Sequence, residues 1–151
     1  MTVTGQLRMW TAAVAGAGTL LVACGSGRPA TAVIHGPTER QLDDTLRRLH
    51  LAAVAHNQRT VCELMVPWAV SRQPAESAEG AVQRFVRTCA GRLLRNELNA
   101  LANGTAGQEV GHATVNGNIA TATITGPHQV RGARAEFIEV GGQWRLLVRT
   151  D

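Results

Sequence analysis

The apolar residues of this chain change their period once, and that change limits the folds open to it. Between residues 38 and 101 they recur every three to four positions; after Gly107 they alternate. Leu42, Leu46, Leu49 and Ala53 predict a first helix. Thr38 stands as its cap and Gln41, three residues on, completes a capping box. Asp43 with Arg47 and Asp44 with Arg48 are spaced as i,i+4 pairs on a solvated face, and the helix should end near His56-Asn57. Residues 60–66 (TVCELMV) predict one or two more helical turns, stopped by Pro67, and residues 71–76 a loop. From Ser77, the positions of Val82, Phe85, Val86, Cys89, Leu93, Leu94, Leu98 and Leu101 predict helix, with a break at Gly91 and a stop at Asn103-Gly104.

Two hairpins follow. Asn116-Gly117 between alternating segments is a strong short-range hairpin signal, and as a two-residue turn it sets Ala113 opposite Ala120 and His112 opposite Thr121. Gly141-Gly142 does the same between residues 131–140 and 143–149, with Phe137 opposite Leu146, Ala135 opposite Val148 and Glu139 opposite Trp144. Phe137, Ala135, Leu146 and Val148 then make an apolar face that only the helices can cover. The expected fold is α+β: N-terminal helices packed on a curved four-stranded antiparallel sheet.

The start of the chain reads as an address. Arg8 is the only charge in residues 1–8, and residues 9–23 carry none. That apolar run is too short for a membrane-spanning helix, which needs ~20 residues. A charged start, a short apolar core and small residues at its end describe an export signal. The end, Leu21-Val22-Ala23-Cys24, resembles the lipobox of bacterial lipoproteins. That resemblance implies cleavage before Cys24 and acylation of its thiol, with a diacylglycerol or palmitate-type chains holding the protein to the extracytoplasmic face of the cell membrane. Two or more chains, at ~0.8 kcal/mol per buried CH₂, anchor stably where one does not. The expected organisation is a signal peptide over 1–23, lipidated Cys24 with a Gly-, Pro- and Ala-rich tether over 24–37, and one folded domain over 38–151. Such a tether reaches roughly 20 Å from the headgroups.

Outside the anchor only Cys62 and Cys89 remain, and an exported domain meets oxidising conditions. One disulfide is expected. Their spacing, with no second Cys or His nearby, matches no zinc pattern, and no metal or other cofactor is expected. Every one of the 15 basic residues is Arg, against 11 acidic residues, a composition in keeping with a GC-rich genome. Two Phe, three Trp and no Tyr cannot form a stacking platform for bases, which argues against nucleic acid as a partner.

A capped helix, a Cys-x-Leu-Met segment (Cys62, Leu64, Met65), a helix carrying Cys89, and four strands ending in Gly-Gly-x-Trp-Arg-Leu (Gly141, Gly142, Trp144, Arg145, Leu146) resemble the SnoaL-like, nuclear-transport-factor-two-like superfamily. The likeness, over residues 38–151, extends to its small exported actinobacterial members. It implies a cone-like sheet around an internal pocket, in proteins that include isomerases, dehydratases, cyclases and binding modules. Fold likeness does not choose among these. Ketosteroid-isomerase-like catalysis needs a Tyr in the oxyanion hole, and this chain has none. Dehydratase-like catalysis needs a pocket His with a partner; His112, with Glu109, Glu136 or Glu139, is the available set, but the hairpin register turns His112 away from Ala113 and Ala120. His50 and His56 are wrongly spaced to share a helix face.

No catalytic residue is assigned. The expected function is that of an envelope module binding an apolar ligand or a protein, its pocket drawn from Trp68, Phe85, Phe137, Trp144 and Leu146. The alternative is a small pocket enzyme acting on a hydrophobic substrate. Arg131, Arg134, Arg145 and Arg149 form either a basic stripe for anionic lipid or cell-wall polymer, or a solvated sheet face.

Overall fold

The two periods occupy separate parts of the chain, so helices and strands must meet through tertiary packing alone. The computed structural model describes residues 36–127 and 129–149. The export signal expected over 1–23, Cys24, and the tether as far as residue 35 lie outside the described residues. Within them, no helix is long and apolar enough to cross a membrane.

Helix α1 (Pro37–Val54) begins one residue before the expected cap. Pro37 takes the first helical position, where its missing N–H costs nothing, and Gly36 serves as N-cap without a side-chain bond. The helix ends where expected: His56 turns into the left-handed region (φ 53°), and Asn57 N–H reaches back to Ala52 C=O at 2.8 Å. Asn57 then caps α2 (Gln58–Leu64), its Oδ1 accepting from Thr60 N–H at 3.1 Å. A 3₁₀ turn over Trp68–Arg72 leads to α3 (Ala75–Cys89). The predicted break falls after Cys89, and α4 (Arg95–Thr105) starts with Leu94 N–H donating to Glu97 Oε2 at 2.7 Å. Asn103-Gly104 does not stop α4, which runs one residue further.

The α+β class holds, but the four-stranded antiparallel sheet is corrected to a five-stranded mixed one. Met65–Pro67, expected as the end of a helix, is strand β1, parallel to β5 with Met65 opposite Leu146 and Pro67 opposite Val148. Strands β2 (Glu109–Asn116), β3 (Ile119–Thr125), β4 (Arg134–Val140) and β5 (Gln143–Val148) complete an open sheet in the order β1-β5-β4-β3-β2. Three residues are too few to reveal a strand by alternation, and Pro67 is tolerated because β1 lies at the sheet edge.

The β4–β5 hairpin has the expected register, Phe137 opposite Leu146 and Glu139 opposite Trp144. The β2–β3 register differs: Ala113 faces Ala122, and Val115 faces Ala120. Gly117 (φ 61°), not Asn116, takes the first central position, so the turn moves by one residue and the pairing by two. Because the pleat repeats every two residues, Ala120 and Ala122 still face the core and His112 remains exposed. An irregularity between Val110 and Ala113 restores the phase and buries Val110 completely.

The larger departure is that the sheet is covered on both faces. Leu42 and Leu46 of α1 pack with Val110, Ala120, Ala122, Ile124, Phe137 and Trp144 on one side. Ala78 and Val82 of α3 pack with Val66, Val70, Ile138, Val140 and Leu147 on the other. A third cluster joins the second half of α1 to α2 and α4 through Leu49, Ala53, Val61, Leu64 and Leu98. Neighbouring residues Phe137 and Ile138 are thus both buried, at 0% and 1% exposure, in different layers.

Polar side chains lock α1 across its face of the sheet. Leu42 and Leu46 form the central ridge. On one flank, Glu39 Oε1 accepts from Ala113 N–H (3.3 Å) and Asp43 Oδ1 from Val110 N–H (3.1 Å). These bonds occupy backbone donors of edge strand β2 that would otherwise be open for pairing. On the other flank, Gln41 Oε1 accepts from Trp144 Nε1–H (3.1 Å), and Thr45 Oγ1 donates to Trp144 C=O (3.4 Å). Asp43 is therefore a docking group and not half of an Arg pair. Asp44 pairs with Arg47, at i,i+3 rather than with Arg48.

Candidate functional site

Three elements of the fold, α2, α3 and β5, converge on one cleft of about 710 Å³. Arg59 and Glu63, four residues apart, present one face of α2 and are bonded to each other at 3.0 Å. Helix α3 contributes a stripe at helical spacing: Glu79, Gln83 and Arg87 form its polar edge, Val82 and Val86 its apolar floor. Gln143 and Arg145, two apart on β5, point to the same side of the sheet as buried Leu147. Cys62 and Cys89 join the two helical walls, their Cα atoms 5.9 Å apart across the disulfide. The expected bridge is present.

Arg145 is the distinctive group in the cleft. One terminal nitrogen, Nη1, donates to Val140 C=O and to Gln143 C=O, and Nη2 makes a long contact of 3.4 Å with Gln143 Oε1. Its Nε is buried and has no hydrogen-bond partner among the described residues. Burial pulls the guanidinium below the ordinary arginine pKa, opposed by the charges of Glu63 and Glu79. Neither glutamate forms an ion pair with it; Glu63 is engaged by Arg59.

The residues expected to share a pocket are divided by the sheet. Trp68 and Phe85 pack in the α3 layer, whereas Phe137, Trp144 and Leu146 pack in the α1 layer. Phe137 is wholly buried. Trp68 donates from Nε1 to Glu136 Oε2 at 3.1 Å and carries Arg72 over its ring at 4.5 Å. Trp144 borders a second depression of about 480 Å³, between α1 and the β4–β5 turn, with Arg40, Asp44 and Arg48 around it.

The titratable groups considered for acid–base chemistry are dispersed. His50 Nδ1 lies 3.1 Å from Ala102 C=O and 3.2 Å from Thr105 Oγ1, tying α1 to α4. His56 Nε2 bonds Asn99 Oδ1 at 2.9 Å, and His112 is exposed on β2. Glu136 is held by Trp68; Glu109 and Glu139 face solvent. Among the described residues no three His, Cys, Asp or Glu side chains are grouped to hold a metal ion.

Arg131, Arg134 and Arg149 are exposed, while Arg145 alone of the four proposed stripe residues is half-buried. The cleft was not foreseen from the sequence. Its signal was the stripe Glu79, Val82, Gln83, Val86, Arg87, which reads as an ordinary amphipathic helix until β5 is known to lie beneath it. No family model matches the chain, and no curated protein or solved structure matches it either.

Proposed function

We propose that this protein is a lipid-anchored module of the bacterial cell envelope, held at the extracytoplasmic face through Cys24, that binds a small ligand in the cleft between α2, α3 and β5 and performs no chemistry on it. The observation that carries this reading is the Cys62–Cys89 disulfide. Such a bond persists in oxidising compartments, and here it staples the two helices that wall the cleft. The apolar run over 9–23 and the Leu21-Val22-Ala23-Cys24 sequence supply the address. The domain is read as a SnoaL-like scaffold on its helix order, its Cys-x-Leu-Met segment and its Gly-Gly-x-Trp-Arg-Leu ending, with strand β1 and the α3 layer as departures from the expected cone.

Substituting Cys24→Ala tests the address. The unaltered chain should incorporate labelled fatty acid and sediment with membranes; the variant should do neither while keeping its disulfide. A variant that is still acylated and membrane-bound removes the anchor from this reading. Native mass spectrometry of the purified full chain tests the binding role through a co-purified small molecule.

A further inference from the structure

We propose that the cleft takes a small amphiphilic carboxylate, whose charged group sits on the Nε/Nη2 edge of Arg145 while its apolar part lies along Val82 and Val86. The inference rests on the binding-module reading above and names the ligand class for that site.

The guanidinium supplies the first argument. Arginine offers five N–H donors in a fixed planar fork, and the Nε and Nη2 hydrogens along one edge match the two oxygens of a carboxylate. In Arg145 the Nη1 donors are spent on the carbonyls of Val140 and Gln143. The other edge is unspent: Nε has no acceptor, and Nη2 has only the 3.4 Å contact with Gln143 Oε1. Nε is closed to solvent in this structure, so a ligand oxygen reaches it only once the exposed side chain of Gln143, which touches Nη2, swings aside. A buried donor with no acceptor is costly, and a ligand oxygen placed there relieves that cost.

Charge supplies the second. Three arginines and two glutamates line the cleft, which leaves one net positive charge. Arg59 already neutralises Glu63, and Glu79 sits on the exposed edge of α3. A net charge of one is matched by a monoanion, whereas a phosphate dianion would leave the occupied cleft with an uncompensated negative charge. Beside the charged end, Val82 and Val86 offer apolar surface to a short hydrocarbon portion.

Hexanoate and 1-hexanol, titrated into the full chain with its disulfide formed, test the inference by nuclear magnetic resonance. Hexanoate should shift the Arg145 Nε–H resonance and the Val86 amide in a saturable way, and hexanol should bind at least about tenfold more weakly. Arg145→Gln should weaken hexanoate by a similar factor. Glu79→Gln, on an exposed side chain whose change leaves packing untouched, should tighten it several-fold. If Arg145→Gln does not fold, the Nε–H shift and the Glu79→Gln variant decide the matter. Equal binding of hexanol and hexanoate at the cleft overturns the carboxylate inference while leaving the binding site in place. If neither compound moves any cleft resonance, both readings fall. An unchanged or weaker hexanoate affinity in Glu79→Gln also counts against the carboxylate.

Discussion

The two faces of the sheet are covered in different ways. On one, α1 lies over Phe137 and Trp144 with an apolar ridge and four polar ties, from Glu39, Gln41, Asp43 and Thr45. On the other, α3 meets Ile138, Val140 and Leu147 through Ala78 and Val82, and among the described residues no side-chain hydrogen bond joins it to the sheet. What holds α3 at its far end is covalent: the disulfide to α2. A helix tied on both flanks leaves a filled interface. A helix secured by one apolar edge and one distant staple leaves room beside it, and the cleft occupies that room.

The largest expected effect comes from emptying the filled face. Phe137→Ala removes a wholly buried ring and should destabilise the fold by about 3–5 kcal/mol, read by chemical denaturation of the oxidised protein. A loss under about 1 kcal/mol would mean that the α1 layer collapses around the gap and is less rigid than its polar ties suggest.

Next comes the staple. Replacing Cys62 and Cys89 with Ala together should cost roughly 3.5 kcal/mol. Hydrogen exchange should then speed up in α3 more than in α1, because α1 keeps its side-chain ties. Equal acceleration in both helices would dissolve the distinction between the faces. Free-thiol titration of the exported protein, which should find neither Cys62 nor Cys89 reduced, checks that the bond forms in place.

The smallest effects separate adjacent carboxylates. Asp43→Ala leaves the Val110 N–H without its acceptor and should cost about 1–2 kcal/mol, whereas Asp44→Ala removes an exposed pair with Arg47 worth about 0.5 kcal/mol or less. Equal costs in thermal unfolding would show that Asp43 contributes no more than a surface charge.

How much of this was legible beforehand depended on the range of the interaction. Gly141-Gly142 needs positive φ at both turn positions, which glycine supplies freely, so the β4–β5 register followed from the turn alone. Asn116-Gly117 admitted two turn placements, and the choice of Gly117 as the first central residue slid the pairing by two. Met65–Pro67 carried no strand signal because its partner, β5, lies about eighty residues further along. The five residues expected to form one pocket, Trp68, Phe85, Phe137, Trp144 and Leu146, pack in two layers instead: the size and hydrophobicity that suggested the grouping are local properties. The sheet side each one faces is not.

The sequence by itself determined the order of the main helices and of strands β2 to β5, the α+β class, the second hairpin and the compatibility of two cysteines with one bridge. Each rests on periodicity, turn chemistry or composition within a short stretch of chain. Only the tertiary structure decided that β1 joins the sheet in parallel, that Asp43 and Asp44 have different tasks, and that Arg145 lies half-buried with an unspent edge beside α3. Those outcomes depend on which surfaces meet across distant parts of the chain, and no local pattern records that meeting.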